Sequence, residues 1–224
     1  ATRSRTPTGF HAAVFGAPHG TPYPKIDNRV HAAAPDAFRR ALAADGEWLD
    51  HWDFDVGGPL LADGACRVAD LGNLPTKSKD GKGNRKLIEA QTRKILAAGA
   101  VPLVFGGDDS IPIPFIAGFS GNPPLTILQI DAHIDWRDER YGEKFGFSST
   151  MRRASEQAHV WRIVQVGARG LGSGLRHGLR GLGPGLHVPL RHRRSRRPGA
   201  DAARHHGAAQ AERGLLRTEG IDEA

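Results

Sequence analysis

At 224 residues, 39% of them hydrophobic, the chain is long enough to bury one full core and too apolar for wholesale disorder. Its single cysteine, Cys66, excludes an internal disulfide, and no stretch approaches the roughly 18 apolar residues of a membrane span. The formal charge of +7 is uneven, because residues 174–224 hold ten arginines against five acidic residues. The polar Ala1–Phe10 stretch lacks the apolar run of a secretory signal, so a protein of the reducing cytoplasm is expected.

Taken in chain order, Ala12-Ala-Val-Phe15 is a short apolar run ended by Gly16 and Pro18, and it reads as a first strand. Pro35 to Ala44 reads as a helix, with proline in its first turn and Gly46 just past its end. Lys77 to Arg85 reads as an exposed loop leading into a second helix. Asn84 caps that helix, Leu87, Ile88, Ile95 and Leu96 share one side, and Gly99 stops it. Val101 to Phe105 is a strand entering Gly106-Gly107, with Pro102, which has no N–H to donate, near its start. Leu125 to Ile130 is almost continuously apolar, the pattern of a strand covered on both faces. A helix from Ser149 to His159 and a strand from Trp161 to Val166 complete the alternation, which predicts a mainly parallel sheet in an α/β domain.

The character changes past Gly172. Residues 174–224 contain no lysine, phenylalanine, tyrosine or tryptophan, and their only β-branched aliphatics are Val188 and Ile221. Such a segment buries little apolar surface. It is expected to be disordered or the product of a shifted reading frame, with a genuine basic tail as the rival reading. The chain therefore divides into an α/β part, 1–173, and an Arg/Gly/Pro-rich tail, 174–224.

The chemistry centres on Gln129-Ile-Asp131-Ala-His133-Ile-Asp135-Trp136. If the strand continues through the motif, period two points Asp131, His133 and Asp135 to one side. Two carboxylates and an imidazole gathered at the carboxyl end of a strand read as a divalent-metal site, with a solvated polar loop after the strand as the alternative. Ligation rich in carboxylates suits Mn²⁺ and leaves Zn²⁺ and Fe²⁺ open. Phe105-Gly106-Gly107-Asp108-Asp109-Ser110 lies at another strand's end, with glycines that let the backbone approach a ligand. Asp109 supplies a ligand in this reading, and Asp108 an acceptor behind it; taken alone the segment reads as an ordinary turn, and its place about twenty residues before the Asp/His cluster is what makes it informative.

Gly106-Gly-Asp-Asp-Ser110 followed by Asp131-Ala-His-Ile-Asp135 resembles the G-G-D-H-S and D-A-H-x-D signatures of the ureohydrolases, the arginase and agmatinase family. The likeness covers residues 10–173. Asp135 to Glu139, Ser148 to Ser155 and Gln165 to Gly170 look like its agmatinase-related branch. The resemblance implies a three-layer α/β/α fold, incomplete in its C-terminal part, and a dinuclear Mn²⁺ site that hydrolyses a guanidino compound to release urea. By the same resemblance Asp131 bridges both ions, Asp135 binds one and His133 the other. Trimers or hexamers are common in the family. Three departures stand out. Asp109 occupies the place of a histidine ligand. No histidine lies near Phe147-Ser148-Ser149, where many members carry His-Gly. The later D-x-D-x-x-D-P motif is absent.

Trp136 and Arg137 are candidates for lining a substrate pocket, with packing and a surface ion pair as the alternatives, and Glu139 and Glu143 read as an ordinary loop, with a guanidinium contact as the alternative. Met151, Arg152 and Arg153 read as the start of a helix with surface charges. His11, His19, His31, His51 and His159 lack ligand-like spacing, and His205-His206 lies in the tail. No residue is assigned as the catalytic acid or base. Three functions are consistent with the sequence: a guanidino-compound hydrolase, an inactive remnant with a partial metal site, and a nucleic-acid binder using the tail. The tail lacks the aromatic residues that base stacking needs, which disfavours the third.

Overall fold

The computed structural model describes residues 1–27, 29–45, 52–55, 57–59 and 66–169. The tail from 174, together with Gly46, His51 and the His205-His206 pair, lies outside them. The first strand of length is β2, Ala12–Ala17, preceded by the two-residue β1, Thr2–Arg3. A short 3-10 helix, Arg29–Ala33, leads into α1, Ala34–Asp45. Two-residue strands β3, Trp52–Asp53, and β4, Gly58–Pro59, form a separate hairpin. Then come β5, Val68–Asn73, α2, Gly81–Ala97, and β6, Val101–Gly106. The chain continues through α3, Pro112–Ala117, β7, Leu125–Ile130, α4, Thr150–Ser155, and β8, Val160–Val166.

The main sheet runs in the order β1-β5-β2-β6, with all pairings parallel, and β7 pairs β8 in parallel as a second sheet. From β2 the chain crosses through α1 outward to β5, then returns through α2 past β2 to β6. Right-handed crossovers in opposite directions place α1 and α2 on opposite faces. Helix α3 packs against α2, and α4 against α3, so these three share one face. The core follows this division. Ala13, Phe15 and Ala17 of β2 pack with Ile88 and Ile95 of α2 and with Ile111. Ile163 of β8 packs with Ile116, Trp136, Met151 and Ala154.

Several expectations need correction. Asn84 does not cap α2: Asp80 does, its side chain accepting the Gly83 N–H at 2.7 Å. Asn84 is buried in the first turn, where it accepts from Lys77 N at 2.9 Å and donates to Lys77 O at 2.7 Å. Residues 81–85 are thus helix and not loop. Gly99, at φ +75°, ends the helix in the left-handed conformation that a residue without Cβ adopts freely. Helix α4 is shorter than expected, and Glu156 to His159 form a turn after it. Arg153 is buried and not a surface charge, paired with Asp138 at 2.6 Å and Glu156 at 3.1 Å.

The largest departure is β7. It alternates in burial instead of being covered on both faces, with Leu128 62% and Ile130 79% exposed. The reason is topological: α3 and α4 cover one face of β7 and β8, and no described helix covers the other. Strands β6 and β7 are consecutive and joined by α3, yet they do not pair, so each keeps an unpaired edge among the described residues.

Candidate metal centre

Carboxylate oxygens of Asp109, Asp131 and Asp135 lie within 4.8 Å of one another. Asp109 stands beyond the end of β6, and the other two follow β7. The strand ends at Ile130, so period two does not carry through the motif. Asp135 reaches the group from a loop, at a φ of +47° that an L-residue adopts only under local constraint. His133 lies outside the group: its ring is 79% exposed, with Nδ1 3.3 Å from Asp131 Oδ1. Its backbone N–H donates to the same oxygen at 2.7 Å, which fixes the Asp131 carboxylate.

Each acid is held from behind. Gln129 Nε2 donates to Asp135 Oδ2 at 2.7 Å, and Gln165 Nε2 donates to Gln129 Oε1 at 2.5 Å and to Ile134 O at 2.9 Å. These glutamines are register partners on β7 and β8. The Thr150 hydroxyl donates to the Asp109 carbonyl. Asp108 points away to secure two neighbouring segments. Its Oδ2 accepts Thr21 N at 2.5 Å, and its Oδ1 accepts Ser110 N at 3.0 Å and Ser110 Oγ at 2.5 Å. Gly107 serves a close backbone approach, but to the chain and not to a ligand: a Cβ there would lie 1.8 Å from the His19 carbonyl oxygen.

Crowding of like charges and burial shape the electrostatics. Burial, followed by the Asp135 and Asp131 charges, pushes the Asp109 carboxyl up to about 8. Asp135 is also raised, first by burial and then by Asp131, against the opposing hydrogen bond from Gln129. Asp109 Oδ2 is buried without a hydrogen-bond partner among the described residues. A buried, unpartnered carboxylate oxygen among two further carboxylates is a donor set for a hard divalent cation, and the nearby imidazole extends it. The residues present therefore fit such an ion.

The other candidates are placed as follows. Trp136 is buried in the core with its Nε1 unpartnered among the described residues, while Arg137 is exposed and its N–H donates to Ser148 O at 3.0 Å. Ser149 and Thr150 are fully buried. His19 is buried and bonded to Asn84 at 2.9 Å, and His159 bonds the Ile116 carbonyl at 2.9 Å. Burial holds the His19 ring below the ordinary imidazole value. Sequence reasoning missed Gln129, Gln165 and Thr150. The signal for the glutamines was an amide next to last in each of two mainly apolar strands.

The model of the Arginase family matches residues 10–184. Human mitochondrial guanidino acid hydrolase is 33% identical over 111 residues, 48% of this chain and 32% of that protein. Guanidinopropionase of Pseudomonas aeruginosa is 35% identical over 107 residues, 46% of this chain and 34% of that protein. The chain thus matches about a third of the length of these relatives. Among solved structures, proclavaminate amidino hydrolase from Streptomyces clavuligerus superposes with a TM-score of 0.67 at 22% identity, over 84% of this chain and 61% of that one. The family match takes in well over half of the sequence, and the chain belongs to the arginase family.

Proposed function

We propose that the protein is a manganese-dependent hydrolase that releases urea from a guanidino compound such as agmatine or a guanidino acid. The observation that carries this reading is the convergence of Asp109, Asp131 and Asp135 within 4.8 Å. These three would hold the ion, and His133, beside Asp131, would join them by rotation of an exposed ring. When bound, such an ion supplies Lewis acidity and an activated water at neutral pH. The chain's own part is positioning. Gln165 and Gln129 fix the Asp135 carboxylate, the His133 amide fixes that of Asp131, and Thr150 anchors the Asp109 backbone. The carboxylates also attract a cationic guanidinium. Among the described residues no helix is long and apolar enough to cross a membrane, and we place the reaction in the cytoplasm.

A second reading is favoured by the exposed His133: a protein that binds metal without turnover. Urea release from agmatine and 4-guanidinobutanoate with Mn²⁺ present separates the two. Turnover abolished by Asp131→Asn supports the hydrolase. Mn²⁺ binding seen by electron paramagnetic resonance, with no urea formed, supports the second reading.

A further inference from the structure

The carboxylate group leaves unused a second set of charges built on the same segments. The half-buried Arg140 guanidinium is ringed by three aromatic side chains, 5.7 Å from the Tyr23 ring centre, 5.3 Å from Tyr141 and 5.9 Å from Phe147. Tyr23 is buried and packs edge-on against both of the other rings. Lys25 Nζ stands 5.4 Å from the Tyr141 ring centre, and the Arg85 guanidinium 4.3 Å from that of Phe145. Among the described residues, none of these three cations has an ion pair or a side-chain hydrogen bond to a protein acceptor. Glu143 bears on Arg85 without forming an ion pair, and its carboxylate accepts the Phe145 N–H at 2.7 Å.

Both sets of charges hang on two stretches of chain. Thr21, whose amide is held by Asp108, lies two residues before Tyr23. Ser148, which meets the Tyr23 hydroxyl at 3.4 Å, lies two residues before Thr150, which holds the Asp109 backbone. The cations and the carboxylates are therefore anchored on the same two stretches of chain, with Glu143 and Asp80 bearing on Arg85.

We propose that Arg140, supported by Lys25 and Arg85, receives the anionic end of the substrate, so that the compound taken is a guanidino acid and not an amine such as agmatine. This rests on the hydrolase reading above. A guanidinium binds a carboxylate through two parallel N–H···O bonds and keeps its charge at any physiological pH. The aromatic ring around Arg140 holds it in place before the ligand arrives, which lowers the entropy lost on binding. The ammonium of agmatine would meet three like charges instead.

The test is calorimetric titration of the full chain with 4-guanidinobutanoate, agmatine and butanoate, each with and without Mn²⁺. The acid is expected to bind roughly ten- to hundredfold more tightly than agmatine, the range for a charge-assisted hydrogen-bonded pair. Arg140→Gln should bring that ratio close to one, and Arg140→Lys should restore part of it. Lys25→Gln, at an exposed side chain, should lower the ratio by a smaller factor and guards against misfolding of the Arg140 variants. Equal affinity for acid and amine in the unaltered chain would overturn the proposal, as would a ratio unmoved by both Arg140→Gln and Lys25→Gln. Butanoate binding as tightly as 4-guanidinobutanoate would also overturn it, by marking a plain anion site. Acid-over-amine preference that persists in a chain unable to bind Mn²⁺ would uphold the subsite while removing the hydrolase reading.

Discussion

Asp109 holds a proton in the folded chain that it does not hold when unfolded. Between the ordinary carboxylate value of 3.8 and about 8, the folded state keeps this proton and the unfolded state has released it. Unfolding in that window therefore releases protons, and the metal-free protein loses stability as pH rises through it. A bound cation displaces the same proton, so Mn²⁺ affinity should rise with pH and binding should acidify an unbuffered solution. Thermal melts at pH 5 and pH 8 check both points. The metal-free midpoint should fall towards pH 8, and Mn²⁺ should flatten or reverse the fall. The neighbouring Gln129 makes a separate prediction. Gln129→Leu leaves the carboxylates in place but frees Asp135 to rotate, and Mn²⁺ affinity should fall about ten- to hundredfold. An unchanged affinity would mean that the Gln165–Gln129–Asp135 chain of hydrogen bonds has no part in holding the ion.

Among the elements, the start of α2 offers the sharpest contrast. Asp80 is exposed and makes one capping bond, so Asp80→Ala should cost about 1 kcal/mol in urea unfolding. Asn84 is buried, and its loss strands the Lys77 backbone and the His19 ring, so Asn84→Ala should cost more, about 2–3 kcal/mol. The reverse order would restore Asn84 to the capping role its residue type suggests. That residue shows where the sequence was legible and where it was not. Strands β2, β6, β7 and β8 and helix α1 were readable because apolar runs end at glycine, proline or polar clusters. Strand β5 was missed because Asp70 interrupts it, and that acid is compensated by Arg39 at 2.9 Å from a distant helix. Helix α3 was missed because prolines at its start read as breaks. In the site, Asp131 and Asp135 were readable as one motif at a strand tip. Their glutamine support needs two strands brought into register, which no local pattern reports.

Among the described residues, the α/β layer lies open on one side. Leu128 and Ile130 on β7, with Val166 on β8, the register partner of Ile130 and 49% exposed, form apolar surface beside a strand edge unpaired among the described residues. Such a surface promotes association between copies, each exposed aliphatic forgoing roughly 1.5–3 kcal/mol of burial. Light scattering of the full chain should show concentration-dependent growth. The pair Leu128→Thr and Ile130→Thr should suppress it without altering Mn²⁺ affinity, since both side chains lie on the face away from α3 and α4.

The unjoined strands β6 and β7 have a mechanical consequence. Asp109 follows one, while Asp131 and Asp135 follow the other, and once the Asp109 proton is lost their mutual repulsion pushes the two tips apart. A cation seated among them would act as a clasp across the seam, doing by coordination what a backbone ladder does elsewhere in the sheet. Amide hydrogen exchange should then slow on Mn²⁺ addition at residues 106–111 and 129–136, and stay unchanged in β5 and α1.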